Sequence, residues 1–145
     1  LLKDVAQINE IRIGTEKGTT MESNLRKNYP EAKVVLYDDS PFALAALRNG
    51  NVQAITNDGV KLTAQWNALP DKEKYEIPAI TVSKEYLGAA VRKGETRLLE
   101  ALNTWLAESE KNGRALAIYD TWFGPNSKAP LPRLLKIGDQ RVAAR

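Results

Sequence analysis

Apolar and polar positions alternate in a way that divides the chain up to Pro70 into three strand–helix pairs. Short β-prone runs at residues 11–14, 33–37 and 52–56 are each followed by a segment with apolar residues at helical spacing. The third of these helices is expected to open at Asn57-Asp58 and to end near Leu69. This order predicts an α/β fold with a mainly parallel sheet, because parallel neighbours need a crossover connection that a helix supplies.

Capping residues mark the ends of the first two helices. Thr19 and Glu22 form a capping box, in which we expect each side chain to accept a hydrogen bond from a backbone amide near the other residue. Asn28-Tyr29-Pro30 ends this helix. In the second helix, Ser40-Pro41 is expected to supply the N-cap and the first helical residue, and Asn49-Gly50 a left-handed C-cap.

The pattern changes beyond Pro78. Residues 79–82 and 86–91 are predicted to be extended, and an amphipathic helix is predicted to begin at Thr96 and to break at Gly113. A short final helix precedes Gly124-Pro125, and we interpret residues 126–145 as a tail that wraps on the protein or is partly mobile. The apolar face of the long helix consists of Leu98, Leu99, Leu102, Trp105 and Leu106.

Composition narrows the classes of function. The 145 residues are 43% apolar and 27% charged, which is typical of one soluble globular domain. The net charge of +3 is scattered along the chain, so no nucleic-acid surface is predicted. The sequence has no Cys and no His, which excludes thiol nucleophiles, His bases and most zinc sites. We therefore predict no metal, no cofactor and no enzyme.

Four motifs carry a resemblance to a known family. The chain resembles the cluster-three extracellular solute-binding proteins, the polar amino-acid receptors of ABC importers. The motifs occur in the family's order and spacing: Ile11-Arg12-Ile13-Gly14 with Lys17-Gly18-Thr19-Thr20, the run from Ala46 to Ala54 leading to Asn57-Asp58, the run from Lys84 to Gly94, and Asn112-Gly113 with the run from Ile118 to Gly124.

The resemblance implies a periplasmic-binding-protein type II fold, with two α/β lobes joined by a two-strand hinge. Residues 1–82 are similar to the second lobe, and residues 83–125 to the returning hinge strand and the C-terminal helices that pack on the first lobe. Residues 126–145 are the tail. Most of the first lobe, including the Arg that pairs with a ligand's α-carboxylate, is not matched. A periplasmic location and a membrane permease partner are also implied.

Gly18, Thr19 and Thr20 are the first group of candidate ligand-binding residues. They lie in a turn that enters a helix, where backbone amides and the positive end of the helix dipole favour an anion. From spacing alone, a plain capping box that binds nothing is the better interpretation. The resemblance implies that these residues bind the α-carboxylate of an amino acid.

Asp58 is the second candidate. It follows a buried strand, so we expect it at the carboxyl edge of the sheet, where open α/β folds bind ligands. The alternative is that its side chain caps the following helix. The resemblance implies that Asp58 accepts hydrogen bonds from the α-ammonium group, whereas Gly59 offers no second polar contact at the next position.

Other polar and aromatic residues have weaker claims. Asp38 and Asp39 end a strand and suit a solvated turn better than an acid/base pair. Lys17 is expected to be a surface lysine. Trp105, Trp122 and Phe123 are expected to belong to the core or to an interface rather than to a ligand platform.

Three functions follow from these features. The first is a non-enzymatic receptor for a small amino acid in an interlobe cleft, with weak or no binding expected for the isolated monomer. The second, disfavoured by the absence of His and Cys, is a dehydratase-like enzyme on the same fold. The third is an interaction or sensor module that forms a homodimer through its C-terminal helices, because an exposed apolar helix face favours a partner.

Overall fold

A computed structural model describes residues 2–138, which fall into two compact units divided between Lys84 and Glu85. Residue 1 and residues 139–145, which include the end of the predicted tail, lie outside the described part. Within residues 2–138, no helix has the length and apolar character needed to cross a membrane.

The first unit is built on a three-stranded parallel sheet. Its strands are β1 (Arg12–Glu16), β2 (Lys33–Tyr37) and β3 (Ala54–Ile55), in the order β2-β1-β3. This confirms the predicted α/β class with parallel pairing. β3 is shorter than the predicted run 52–56, although its pairing continues on both sides. Gln53 N donates to Arg12 O at 2.9 Å and Thr56 N donates to Gly14 O at 3.0 Å.

Three α-helices connect or follow the strands: α1 (Thr20–Asn28), α2 (Ser40–Arg48) and α3 (Gly59–Ala68), with 3-10 helices at Val5–Glu10 and Lys72–Lys74. The predicted N-cap of α2 is wrong by one residue. Asp39, with extended backbone, caps the helix by accepting a hydrogen bond from Phe42 N at 3.1 Å. Ser40 is instead the first helical residue, and its hydroxyl accepts hydrogen bonds from side chains of other elements.

The core of the first unit lies between the sheet, α1 and the N-terminal 3-10 helix. Ile8, Ile13 and Leu25 are buried there, with Leu25 fully inaccessible to solvent. On β1, Gly14 allows close packing, because a Cβ at this position would lie 3.1 Å from Tyr37 Cε2 and 3.3 Å from Ile55 Cγ2. The partly buried residues that pack against the cluster are Tyr29, Ala32, Val34, Ala54, Ile80 and Val82.

The two extended segments predicted beyond Pro78 do not form strands. Residues 79–82 pack on the core of the first unit, where Asn28 Nδ2 donates to Val82 O at 3.4 Å, but they join no ladder. Residues 86–91 form no helix or strand either, and the Leu87 side chain is 99% exposed. A strand is stable only beside a neighbour that satisfies its backbone groups.

The second unit contains α4 (Thr96–Lys111) and α5 (Arg114–Phe123), separated by Gly113 at φ 81°. Both helices begin and end where the sequence pattern predicts. The apolar face of α4 is largely open to solvent, since Leu98, Leu99 and Trp105 are 49%, 44% and 45% exposed. Trp122 on α5 is also exposed. The prediction that Trp105 and Trp122 belong to the core is therefore wrong, and the alternative prediction of an interface stays open.

The described part of the tail wraps back on the helices of the second unit. Leu131 N donates to Phe123 O at 2.9 Å, and Tyr119 Oη donates to Leu131 O at 3.2 Å. Arg133 forms a two-point ion pair with Glu110, with Nη1 to Oε1 at 3.0 Å and Nη2 to Oε2. This guanidinium, and then the Ile137 amide, lower the pKa of the Glu110 carboxyl. Residues 126–138 of the tail therefore wrap on the protein, which was one of the two alternatives predicted for it.

Candidate functional site

Two loops that carry the predicted ligand-binding residues meet at one edge of the sheet. Because β1 and β3 are parallel neighbours, the segments that follow them, residues 17–19 and 56–58, both leave the sheet at its carboxyl edge. The ion pair between Lys61 Nζ and Glu16 Oε2, at 3.8 Å, links the first turn of α3 to the end of β1. Open α/β sheets bind their ligands at this edge.

The first loop is a tight turn into α1. Gly18 has φ 74°, a left-handed conformation that glycine adopts without a steric cost. Thr19 is the N-cap, and its hydroxyl donates to Glu16 O at 2.7 Å and accepts from Glu22 N at 3.4 Å. Thr20 begins the helix. The turn therefore presents the positive end of α1 at the sheet edge.

Glu22 completes the cap differently from the predicted capping box. Its Oε2 atom accepts from Gly18 N at 2.9 Å, one residue further back than the expected Thr19 amide, and its Oε1 accepts from Arg26 Nε at 3.0 Å. The Gly18 hydrogen bond and then the Arg26 hydrogen bond lower the pKa of the Glu22 carboxyl. The Gly18 amide thus already has an internal anionic partner. An external anion at this turn therefore depends on Thr19, Thr20 and the positive end of the α1 dipole rather than on the Gly18 amide.

Asp58 occupies the N-cap position of α3 without acting as a side-chain cap. Its carboxylate accepts no capping hydrogen bond from the helix, its backbone lies at φ −55° and ψ 137°, and the residue is exposed. The alternative in which Asp58 serves as an ordinary N-cap is therefore contradicted. The carboxylate is left at the open edge of the sheet.

The remaining candidates have ordinary structural roles. Asp39 caps α2, a structural role that favours the turn interpretation of Asp38 and Asp39 over an acid/base pair. Asp38 is exposed, and Lys17 is an exposed residue whose backbone N–H donates to Tyr37 O at 2.9 Å. A shallow groove of about 420 Å³ lies beside Asp38 and is lined also by Leu36, Tyr37, Phe42, Ala45, Ala46, Asn49 and Asn51.

Three polar residues linked to Asp58 were not predicted from the sequence to act together. Ser40, Asn57 and Gln65 join in a hydrogen-bonded cluster at the starts of α2 and α3. The one sequence signal for it was the amide side chain of Asn57 immediately before the candidate ligand residue. The partners lie 17 and 25 residues apart along the chain, so only the fold brings them together.

Comparison with known proteins places this fold in a family. No protein-family model matches the chain. It is 34% identical over 124 residues to the putative ABC transporter arginine-binding protein 2 of Escherichia coli K12, covering 82% of the chain and 50% of that protein. The chain belongs to the amino-acid-binding proteins of ABC transporters. The L-cystine-binding protein TcyJ of the same organism is 32% identical and covers 85% of the chain and 46% of its own length.

Solved structures of the amino-acid-binding family support the same assignment. An ancestral arginine-binding protein bound to glutamine matches with 32% identity and a TM-score of 0.66, covering 85% of this chain and 54% of that one. An ancestral amino-acid-binding protein that is a precursor of cyclohexadienyl dehydratase matches with 26% identity and a TM-score of 0.60, covering 83% and 50%. The chain spans about half the length of the relatives it matches. The family predicted from the four motifs, and its periplasmic-binding-protein fold, are confirmed.

Proposed function

We propose that this chain is the substrate-binding component, or one lobe of it, of an ABC importer for amino acids, and that it grips the backbone end of its ligand. The observation that carries the proposal is the 34% identity to an arginine-binding protein across 82% of the chain. The candidate residues supply both signs of charge that a zwitterion needs. The partner is a membrane permease, the location is extracytoplasmic, and the chain has no catalytic role.

The α-carboxylate is assigned to the turn before α1. Thr19, Thr20 and the positive end of the helix dipole favour an anion there. Gly18 contributes its left-handed conformation, which lets the backbone approach the ligand closely, rather than its amide, which Glu22 already engages. The same contact gives Glu22 a supporting role, because it holds the turn from the helix side.

The α-ammonium group is assigned to Asp58. Its carboxylate is exposed at the carboxyl edge of the sheet and does not cap α3, so a cationic ligand group can approach without displacing an internal hydrogen bond. Charge-assisted hydrogen bonds of this kind contribute about 1.5–3 kcal/mol each.

We also assign residues 1–82 to the second lobe and residues 83–125 to the hinge return and C-terminal helices of such a receptor.

Replacing Asp58 with asparagine tests the assignment. We expect D58N to weaken amino-acid binding by about 10- to 100-fold, because the amide keeps the shape of the side chain but loses the charge-assisted bond. Binding of arginine and glutamine is measured by NMR titration of the 145-residue chain and of the chain fused to the half of a relative that it does not cover. Asp38→Asn is the matched control, since it makes the same change of charge on an exposed residue that follows β2, the strand on the other side of β1 from β3. An equal loss in both variants would contradict a specific role for Asp58.

A second candidate function is a homodimer through the C-terminal helices. The observation in its favour is the large number of apolar side chains on α4 and α5 that are at least 44% exposed: Leu98, Leu99, Trp105, Leu116, Ile118 and Trp122. Burying such side chains against a second copy is stabilising at roughly 25 cal/mol per Å². Sedimentation over a range of concentrations is expected to show a dimer that Trp122→Ser weakens. A monomer at every concentration excludes this function and leaves the amino-acid receptor.

A further inference from the structure

A partly buried polar cluster of Ser40, Asn57 and Gln65 reaches Asp58 through Asn57. Ser40 is 9% exposed, and its hydroxyl oxygen accepts two hydrogen bonds, from Asn57 Nδ2 at 2.9 Å and from Gln65 Nε2 at 2.8 Å. The three residues come from the start of α2, the loop after β3 and the middle of α3. The hydroxyl therefore ties together three elements at the carboxyl edge of the sheet.

The cluster ends on the backbone of Asp58. The Asn57 Oδ1 atom accepts a hydrogen bond from Asp58 N at 2.9 Å, while its Nδ2 atom donates to Ser40. Both ends of the Asn57 amide group are thus engaged, which fixes its orientation. The Asp58 carbonyl accepts a hydrogen bond from Leu62 N at 2.9 Å within α3, and the Asn57 contact holds the Asp58 amide, so the backbone of Asp58 is fixed on both sides.

Stability alone does not require such a cluster. The Gln65 Oε1 atom is buried without a hydrogen-bond partner among the described residues, a situation that costs free energy. Replacing a neutral buried hydrogen-bonded set with apolar groups of the same shape is often close to neutral. What polar groups add is directionality, because a hydrogen-bond network specifies one arrangement of its members.

We propose that Asn57, anchored by Ser40 and Gln65, is a positioning residue that holds Asp58 where its carboxylate meets the ligand's α-ammonium group. The inference rests on the proposed function. Asn57 acts through Asp58 and does not contact the ligand. Its effect on affinity therefore exists only while residue 58 carries a carboxylate and the ligand carries an ammonium group.

A double-mutant cycle between positions 57 and 58 tests this. We expect Asn57→Ala to weaken binding of arginine or glutamine about 2- to 10-fold, the range typical of one lost hydrogen bond. In the Asp58→Asn background the same substitution is expected to change affinity by less than about twofold, because the group it positions is gone. Ser40→Ala, which keeps the Asn57–Asp58 bond but removes its anchor, should give a smaller loss than Asn57→Ala.

The ligand provides a second readout that a purely structural role does not move. Relative to a deamino analogue of the same amino acid, wild-type protein prefers the amino acid, and Asn57→Ala is expected to reduce that preference with little change in affinity for the analogue. Thermal unfolding and NMR spectra establish that each variant is folded. If Asn57→Ala does not fold, Gln65→Leu replaces it as the test variant.

The outcomes separate the two proposals. If wild-type protein binds no amino acid, either alone or fused to the half of a relative that this chain does not cover, the proposed function fails and the inference with it. If wild-type protein binds and Asp58→Asn loses affinity, but Asn57→Ala binds normally or weakens amino acid and analogue equally, only the positioning role is overturned.

Discussion

Leu25→Ala is expected to destabilise the first unit by about 2–5 kcal/mol, the usual cost of emptying a fully buried leucine site. Leu25 has 0% exposure and joins α1 to the cluster formed with Ile8 and Ile13. Domains of this size are stable by only about 5–15 kcal/mol, so the loss removes a large part of the total. Urea unfolding followed by circular dichroism measures it as a lower midpoint at unchanged slope.

The control is a substitution on the same helix that leaves the core intact. Lys27 is exposed on α1, and Lys27→Ala is expected to change stability by no more than about 0.5 kcal/mol. Because α1 also carries the Thr19 cap, Leu25→Ala is further expected to weaken any ligand binding at that turn. A Leu25→Ala protein as stable as the Lys27→Ala protein would show that the cluster does not hold α1 against the sheet.

The parts of the fold that were predictable are those whose signals are local. Strand β2 has its predicted bounds, Lys33–Tyr37, since it is a continuous apolar run with turn residues on both sides. Helix α1 ends at Asn28 as predicted, because Pro30 prevents its continuation. The parallel order of the sheet follows from the alternation of strands and helices, which leaves few topologies open.

The parts that were missed depend on contacts distant in sequence. Ser40 and Asp39 are both good N-caps, and sequence alone favoured the residue next to Pro41. In the structure Asp39 is the cap, and the Ser40 hydroxyl instead accepts hydrogen bonds from Asn57 and Gln65, which lie far from it in sequence. Similarly, residues 86–91 have strand composition but no neighbouring strand, and composition does not show whether a partner is present.

The candidate site likewise has features that the sequence predicted and features that it did not. The position of Asp58 after a buried strand predicted that it lies at the carboxyl edge of the sheet, whereas Gly18 and Thr19 were predicted only to lie in a turn that enters a helix. The parallel pairing of β1 with β3 brings both loops to that edge. The capping box at Thr19 was recognisable, but the carboxylate of Glu22 reaches the Gly18 amide instead of the Thr19 amide. That detail follows from the positive φ of Gly18, which sequence suggests only weakly.

The largest expected gain in ligand affinity comes from fusing this chain to the half of a relative that it does not align to. The candidate residues lie on an open sheet edge, where Thr20 and Asp58 are exposed, whereas good pockets bury about 70–90% of a small ligand. We therefore expect the 145-residue chain alone to bind amino acids only at about millimolar affinity or weaker, near −4 kcal/mol.

A chimaera in which this chain replaces the aligned half of the putative arginine-binding protein 2 of Escherichia coli is expected to bind arginine at least about 100-fold more tightly, since a second surface adds contacts and excludes water. Calorimetry of both proteins measures the gain. In the same chimaera, the amides of residues 86–91 are expected to become protected from hydrogen exchange, because a neighbouring strand then satisfies them.

Asp58→Asn within the chimaera decides whether the gain uses this chain's residues. If Asp58 binds the α-ammonium group, the variant binds arginine about 10- to 100-fold more weakly than the chimaera, because one charge-assisted hydrogen bond is lost. If the chimaera binds tightly and Asp58→Asn leaves it unchanged, the E. coli half binds arginine by itself and the assignment of Asp58 is wrong. A folded chimaera that binds no better than the chain alone would contradict a cleft shared between the two halves.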